Sequence, residues 1–280
     1  GRNGTVVGTA TYGAGASGQA ICFSNNNVVR GTSVQNYLTL PNDLIRGRGS
    51  NFTISLRFKT STYGAILGYQ SAAVGAARSE WVPILYVQSD GKLNANLWQG
   101  SVLNVTSTNR VDDGNWHKVE FSAAPGSITV YIDGVLAGTS TGTINHLSMS
   151  FNQLGAVTTE GVWTGDPIDG WFGFNGCIDE FVIIDRSLTA SQIQQVTQLP
   201  LPTITSFSPT TAKSGETITI TGTNLGSASS VRIGGVEARS ISVVSATEIR
   251  VIVPKNPTLS VLGPRTQAPL NNIDESAIDI

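Results

Sequence analysis

The chain has 280 residues, 13% of them charged, with 17 basic against 19 acidic side chains. An ordinary soluble domain carries about 25% charge, and the deficit is filled here by Gly, Ser, Thr and Asn, the residues of turns and exposed strand faces. Without a Lys/Arg cluster, or any run near the ~18 apolar residues of a membrane span, nucleic acid and membrane insertion are excluded.

Residues 1 to 50 hold short apolar runs between Gly-rich turns, GTATYGAGASGQAICFSNN and then NYLTLPNDL, and read as opening strands. Phe52-Thr53-Ile54-Ser55-Leu56-Arg57-Phe58 alternates apolar and polar residues without a break, which predicts a strand with one buried face and Thr53, Ser55 and Arg57 on the other. Gly64 to Tyr69, Pro83 to Gln88 and Leu93 to Trp98 continue the sheet, and Asp90-Gly91 signals a two-residue hairpin turn with both central residues at positive φ. Gly114 to Phe121 pairs by proximity with Ser127 to Ile132, and Asp133-Gly134 follows. Residues 171 to 188, WFGFNGCIDEFVIIDRSL, run from an aromatic-rich approach through Gly176 to the β-branched stretch Phe181 to Ile184. They read as the closing strand of a β-sandwich, with a short polar helix starting at Ser191. Leu199-Pro200-Leu201-Pro202 continues neither helix nor central strand, so a boundary is placed between domains 1–198 and 202–280.

Several of these segments carry a family resemblance. Gly18-Gln19-Ala20-Ile21-Cys22-Phe23, Tyr37-Leu38-Thr39-Leu40-Pro41 and Gly176-Cys177-Ile178-Asp179-Glu180 resemble segments of the laminin-G-like, concanavalin-A-type jelly rolls. The pattern D-G-x-W-H-x-V, then I-x-V-Y-I-D-G, present at 113–119 and 128–134, is the most specific of them. After the prolines, Pro202-Thr203-Ile204-Thr205-Ser206-Phe207-Ser208-Pro209 and Gly215 to Leu225 resemble the opening of an IPT/TIG immunoglobulin-like domain. The resemblance implies an all-β chain: a concanavalin-A-like jelly-roll sandwich, then a smaller immunoglobulin-like β-sandwich. Pro257, Pro264 and Pro269 break up the tail after Pro254, so the second domain is expected to end irregularly and to leave an edge unpaired. In the laminin-G-like family the strands that hold Cys22 and Cys177 run antiparallel side by side. That implies a Cys22–Cys177 disulfide, with Cα atoms within the ~4.4 to 6.8 Å a bridge requires. Two buried free thiols are the alternative.

The functional candidates are few. Trp81, Trp163 and Trp171 lie in or beside loops and are candidates for stacking on a ligand, while Trp116 is assigned to the core. Glu160, Asp166 and Asp169 place three carboxylates in one loop, as solvated loop charge or as oxygen ligands for calcium. His117 and His146 have no zinc-ligand partners at the usual spacing, and His117 is assigned a packing or hydrogen-bonding role. Asn3, Asn51 and Asn104 open glycosylation sequons, triplets that arise by chance in a chain so rich in Asn and Thr. No strand carries the paired carboxylates of a glycosidase, nor is there a nucleophile elbow, so no enzyme activity is expected. The resemblance implies a binding module: a surface-displayed adhesion or glycan-recognition protein with glycan or protein ligands. The alternative is an architectural virion or fibre component that binds copies of itself or a scaffold protein. Its place is extracellular, on a cell surface or on a virion. The start at Gly1, with neither a methionine nor a signal-peptide pattern, reads as a processed chain or a fragment.

Overall fold

A computed structural model describes residues 4–25, 34–77, 79–98, 100–159, 163–165, 170–198, 202–228, 230–233, 236–255 and 277–279. The chain divides into two compact units, Arg2–Thr197 and Gln198–Ile280. The first is built on two seven-stranded antiparallel sheets. In spatial order, sheet one is Thr5–Val7, Tyr37–Leu40, Phe151–Leu154, Gly64–Gln70, Trp81–Val87, Lys92–Trp98 and Val102–Arg110. Sheet two is Val135–Thr141, Ser127–Ile132, Trp116–Ala124, Phe52–Thr60, Gly176–Ile184, Gln19–Phe23 and Ala10–Ala14.

The core follows from alternation along the strands. Phe52, Ile54, Leu56 and Phe58 project from one strand of sheet two and pack with Val119 and Phe121 of the next, against Leu85, Leu93, Ala95 and Leu97 of sheet one. The other face of Phe52–Thr60 is not solvent-exposed as expected: Thr53 and Ser55 are buried. A closing loop and the helix Ala190–Gln198 cover that face. Thr189 and Gln192 cap the helix reciprocally, and Ile193 packs with Leu188, Tyr131 and Ile184. Thr53 Oγ1 donates to the Arg186 carbonyl at 2.9 Å and Ser122 Oγ to the Leu188 carbonyl at 3.1 Å, so these buried hydroxyls anchor the loop. Trp116, expected in the core, is half-buried, because it sits opposite exposed Lys59 where the strand pair ends.

The two Asp-Gly turns differ. At Asp90-Gly91 only Gly91 is left-handed, φ +82°, and Gln88 N donates to the Lys92 carbonyl, so the loop is longer than two residues. Asp90 Oδ1 accepts from Lys92 N at 3.1 Å and holds this wider turn. The tight turn lies at Asp133-Gly134, where both φ angles are positive, +53° and +77°.

Gly176–Ile184 lies inside sheet two, between Phe52–Thr60 and Gln19–Phe23. Gly176 allows the close approach: a Cβ there would lie 2.2 Å from the Lys59 carbonyl. Cys177 stands opposite Cys22, and the two form the expected disulfide, with Cα atoms 4.0 Å apart, just below the expected range's lower bound. The strand bulges between Asp179 and Val182, with Glu180 left-handed at φ +51°. Asp179 thereby turns its carboxylate to the backbone N–H groups of Ser17 and Glu180, and Glu180 pairs with Arg57 at 2.7 Å.

The second unit has a four-stranded antiparallel sheet, in the order Thr203–Ser208, Thr217–Thr223, Glu248–Ile252 and Ser240–Ser245. Ile218, Ile220, Ile249 and Val251 pack with Leu225, Val231 and Ile233 as its core. A three-stranded sheet joins Val236–Glu237, Ser230–Ile233 and, in parallel, Ala277–Asp279. The expectation of an unpaired edge is corrected in part: the last strand pairs with the free side of Ser230–Ile233, while Ser240–Ser245 remains an edge of the four-stranded sheet. Residues 256–276, with Pro257, Pro264 and Pro269, lie outside the described residues.

Candidate functional site

Strand alternation gives sheet one an outward face opposite the core, and that face is polar along the centre of its last two strands. On Lys92–Trp98 the residues Leu93, Ala95 and Leu97 point inward, so Asn94, Asn96 and Trp98 share the outward side. On the neighbouring strand Leu103 and Val105 point inward, and Asn104 and Thr106 stand opposite Asn96 and Asn94. These four residues close a network. Asn104 Nδ2 donates to Asn94 Oδ1 at 2.5 Å and to Asn96 Oδ1 at 2.8 Å. Asn94 Nδ2 donates to Thr106 Oγ1 at 3.0 Å, and Asn96 Nδ2 to the Pro83 carbonyl at 2.9 Å. Asn94 and Asn96 are fully buried, where an unsatisfied amide would cost about 1–3 kcal/mol, so the bonds fix the amides rigidly. Asn104, Thr106 and Trp98 are half-buried and form the accessible surface.

A loop segment borders this array. The Thr164 carbonyl accepts from Tyr86 Oη, from Gln88 Nε2 at 2.8 Å and from Asn94 Nδ2 at 3.4 Å. Trp81 Nε1 donates to the Thr159 carbonyl at 3.1 Å, and its ring is half-buried. Trp163 and Trp171 do not face a ligand as expected; they are 4% and 6% exposed. Trp163 joins the main core, and Trp171 packs with Val34 and Ala156, so both rings are spent on packing that the loop composition did not reveal. Glu160, Asp166 and Asp169 lie outside the described residues, among which no cluster able to hold a metal is found.

The ionisable chemistry is on the other sheet. His117 lies between two carboxylates, with Nδ1 2.8 Å from Asp133 and Nε2 3.1 Å from Asp113, and its ring packs on Phe58. The Asp133 hydrogen bond holds its pKa above the usual histidine value. Asp113 is lowered to about 2, first by its hydrogen bond from the Asn115 side chain. His146 behaves oppposite to this, because burial lowers it; Nδ1 lies 3.0 Å from Tyr69 Oη and Nε2 donates to the Gly49 carbonyl at 2.6 Å. A cleft of about 510 Å³ between Pro41–Asn51 and Asp185 has its charges paired internally, Arg48 with Asp185 and Arg46 with Asp43. The sequon at Asn104 is closed by the fold, since both Nδ2 protons are engaged, whereas Asn51 is exposed.

The sequence model of the concanavalin A-like lectin/glucanases superfamily matches residues 30–194. The chain belongs to this superfamily. An IPT/TIG domain follows it, matched over residues 202–270. Distant solved structures are also similar to the chain. One is domain 4 of an extracellular GH43 arabinanase from Geobacillus stearothermophilus, in complex with arabinotriose (20% identity, 70% of this chain and 88% of that one, TM-score 0.44). Another is a SAP-like pentraxin from Limulus polyphemus (21% identity, 57% and 73%, TM-score 0.39). A third is the binding domain of botulinum neurotoxin DC in complex with SialylT (12% identity, 79% and 57%, TM-score 0.49). Within this concanavalin A-like domain, the residues that sequence reading missed are Asn94, Asn96, Asn104 and Thr106. Their signal was available: an amide or hydroxyl at each outward position within L-N-A-N-L and L-N-V-T, the central segments of two adjacent strands.

Proposed function

We propose that the chain is a non-catalytic binding protein that recognises a glycan on the outward face of sheet one and works outside a reducing cytosol. The observation that carries this is the locked Asn94–Asn96–Asn104–Thr106 network beside half-buried Trp98. Fixed planar amides next to an aromatic surface bind hydroxyl-rich ligands without an ordering cost at binding. The lack of catalysis is supported by composition: the strands of sheet one contain no Asp or Glu, so no acid and base pair borders a ligand on them. The Cys22–Cys177 bond supports the extracellular placement. We take 1–198 and 202–280 as the two domains, the second serving as a spacer or display element.

A glycan array read with the whole chain tests the proposal. Saccharide binding that falls in Thr106→Val and persists in Trp163→Phe, whose indole is buried, supports it; a chain blind to every glycan refutes it. The architectural reading keeps one specific support. Ser240–Ser245 is an uncharged edge strand with Val243 and Val244 43% and 49% exposed, a place for another copy to pair. A solution mass above that of the monomer, lost in Val243→Lys, supports that reading.

A further inference from the structure

We infer that the ligand of the amide face is a neutral saccharide that gives hydroxyl protons to the protein, and not a sialylated, sulfated or uronate-bearing glycan; this rests on the glycan-binding reading above. The reason lies in how the network spends its protons. Asn104 Nδ2 uses both of its protons inward, on Asn94 and Asn96. Asn94 Nδ2 uses its two on Thr106 Oγ1 and the Thr164 carbonyl. The Thr106 hydroxyl proton goes to Asn104 Oδ1 at 3.3 Å. Turning Asn104 over would set its oxygen against two amide oxygens, so the network fixes the orientation. An amide or hydroxyl oxygen has two lone pairs, and each of these two has one engaged. The half-buried surface of Asn104 and Thr106 therefore offers two acceptors and no proton. Hydroxyls satisfy acceptors; a carboxylate or sulfate brings more acceptors and a charge.

Charge placement leads to the same ligand. Lys92 and Arg110 are the only charged residues on the seven strands of sheet one, both at strand ends. Each has an acidic partner: Lys92 Nζ lies 3.9 Å from Asp90, and Arg110 bonds Asp112 through Nε at 3.0 Å and an Nη at 2.7 Å. Sheet two carries Arg57, Lys59, His117, Lys118, Glu120, Asp179 and Glu180 on its strands. Among the described strand residues of sheet one, an anionic ligand would meet no uncompensated cation.

The test uses the whole chain and matched oligosaccharide pairs, each a neutral chain and its uronate or sulfated counterpart, on an array and then by titration calorimetry. The expected result is binding of neutral members, at least about tenfold weaker binding of their anionic partners, and little change between 50 and 500 mM salt. Thr106→Val, which keeps the side-chain shape, should weaken neutral binding about tenfold, while Thr129→Val on sheet two should not. Lys92→Gln and Arg110→Gln should leave it unchanged. Preference for the anionic member, or loss of binding in Lys92→Gln or Arg110→Gln, overturns the inference and leaves the glycan reading standing. Binding that ignores Thr106→Val places the site elsewhere and overturns the inference. Binding of neither class overturns both.

Discussion

His117→Gln should remove a stabilisation that is full in acid and fades as pH rises. In the fold the imidazole sits 2.8 Å from Asp133 and 3.1 Å from Asp113, and its pKa is raised, with the Asp133 bond as the largest cause. A raised pKa means that the folded state binds the proton more tightly than the unfolded chain, whose histidine titrates near 6.5. The contribution is thus fully present below about pH 6.5 and is lost as pH rises through the folded value. A hydrogen bond between charged groups contributes about 1.5–3 kcal/mol. The Asp133 side chain is 48% exposed, so solvent screening reduces the His117–Asp133 pair to about 1–2 kcal/mol. One proton linked to unfolding changes stability by at most about 1.4 kcal/mol per pH unit. Urea unfolding followed by tryptophan fluorescence measures this, and since all five tryptophans precede residue 198 the signal reports the first domain alone. Wild type should exceed His117→Gln by about 1–2 kcal/mol at pH 5.5, and the gap should narrow as pH rises through the folded pKa. A gap that is flat with pH, or that widens towards alkali, would refute the reasoning.

His146 should show the opposite sign. Its pKa is lowered by burial, so the neutral ring contributes stability above about pH 6.5 that is lost as pH falls, and in a His146→Gln series the gap to wild type should grow with pH. Reducing the Cys22–Cys177 bond, which closes a separation of 155 residues, should lower stability by about 2–5 kcal/mol, and mass spectrometry after denaturation without reductant should find no alkylatable thiol. Gly176→Ala should cost at least about 2 kcal/mol, because its Cβ would meet the Lys59 carbonyl at 2.2 Å with φ at +154°; a midpoint within error of wild type would count against that packing. Ser122→Ala should cost about 1–3 kcal/mol, as the Leu188 N–H and carbonyl lose a buried partner.

Much of the fold was legible because its strands are strongly periodic. Phe52–Thr60 alternates without a break, and the D-G-x-W-H pattern lands on Trp116–Ala124, with Asp113 and His117 in hydrogen-bond contact. What alternation could not show was which polar faces would be covered. Thr53 and Ser55 read as solvent-facing, yet the turn after Ile184 folds back over them, a contact between residues more than 130 positions apart. The loop tryptophans misled for the same reason, since a loop position does not report that Trp163 reaches the core. The Asp-Gly signal was read at the wrong turn: local sequence was the same at 90 and 133, and the Asp90 side chain decided for a wider loop. The amide face went unread because Val102–Arg110 is polar at its outward positions after Val102 and its β-branched inward residues were too few to mark it as a strand.

The Cys22–Cys177 bond also decides how this molecule answers to force. The last strand of the first domain is Gly176–Ile184, an interior strand, so once the helix Ala190–Gln198 is drawn off, tension from the C-terminal side loads hydrogen bonds on both its flanks together. Once those yield, the bond becomes the path of the load. The segment between the cysteines is bypassed, and this separation of 155 positions adds no length to the stretched protein. At about 3.4 Å per extended residue, roughly 500 Å of slack is withheld. A tether of this kind transmits a pull where an unbridged sandwich would pay out chain.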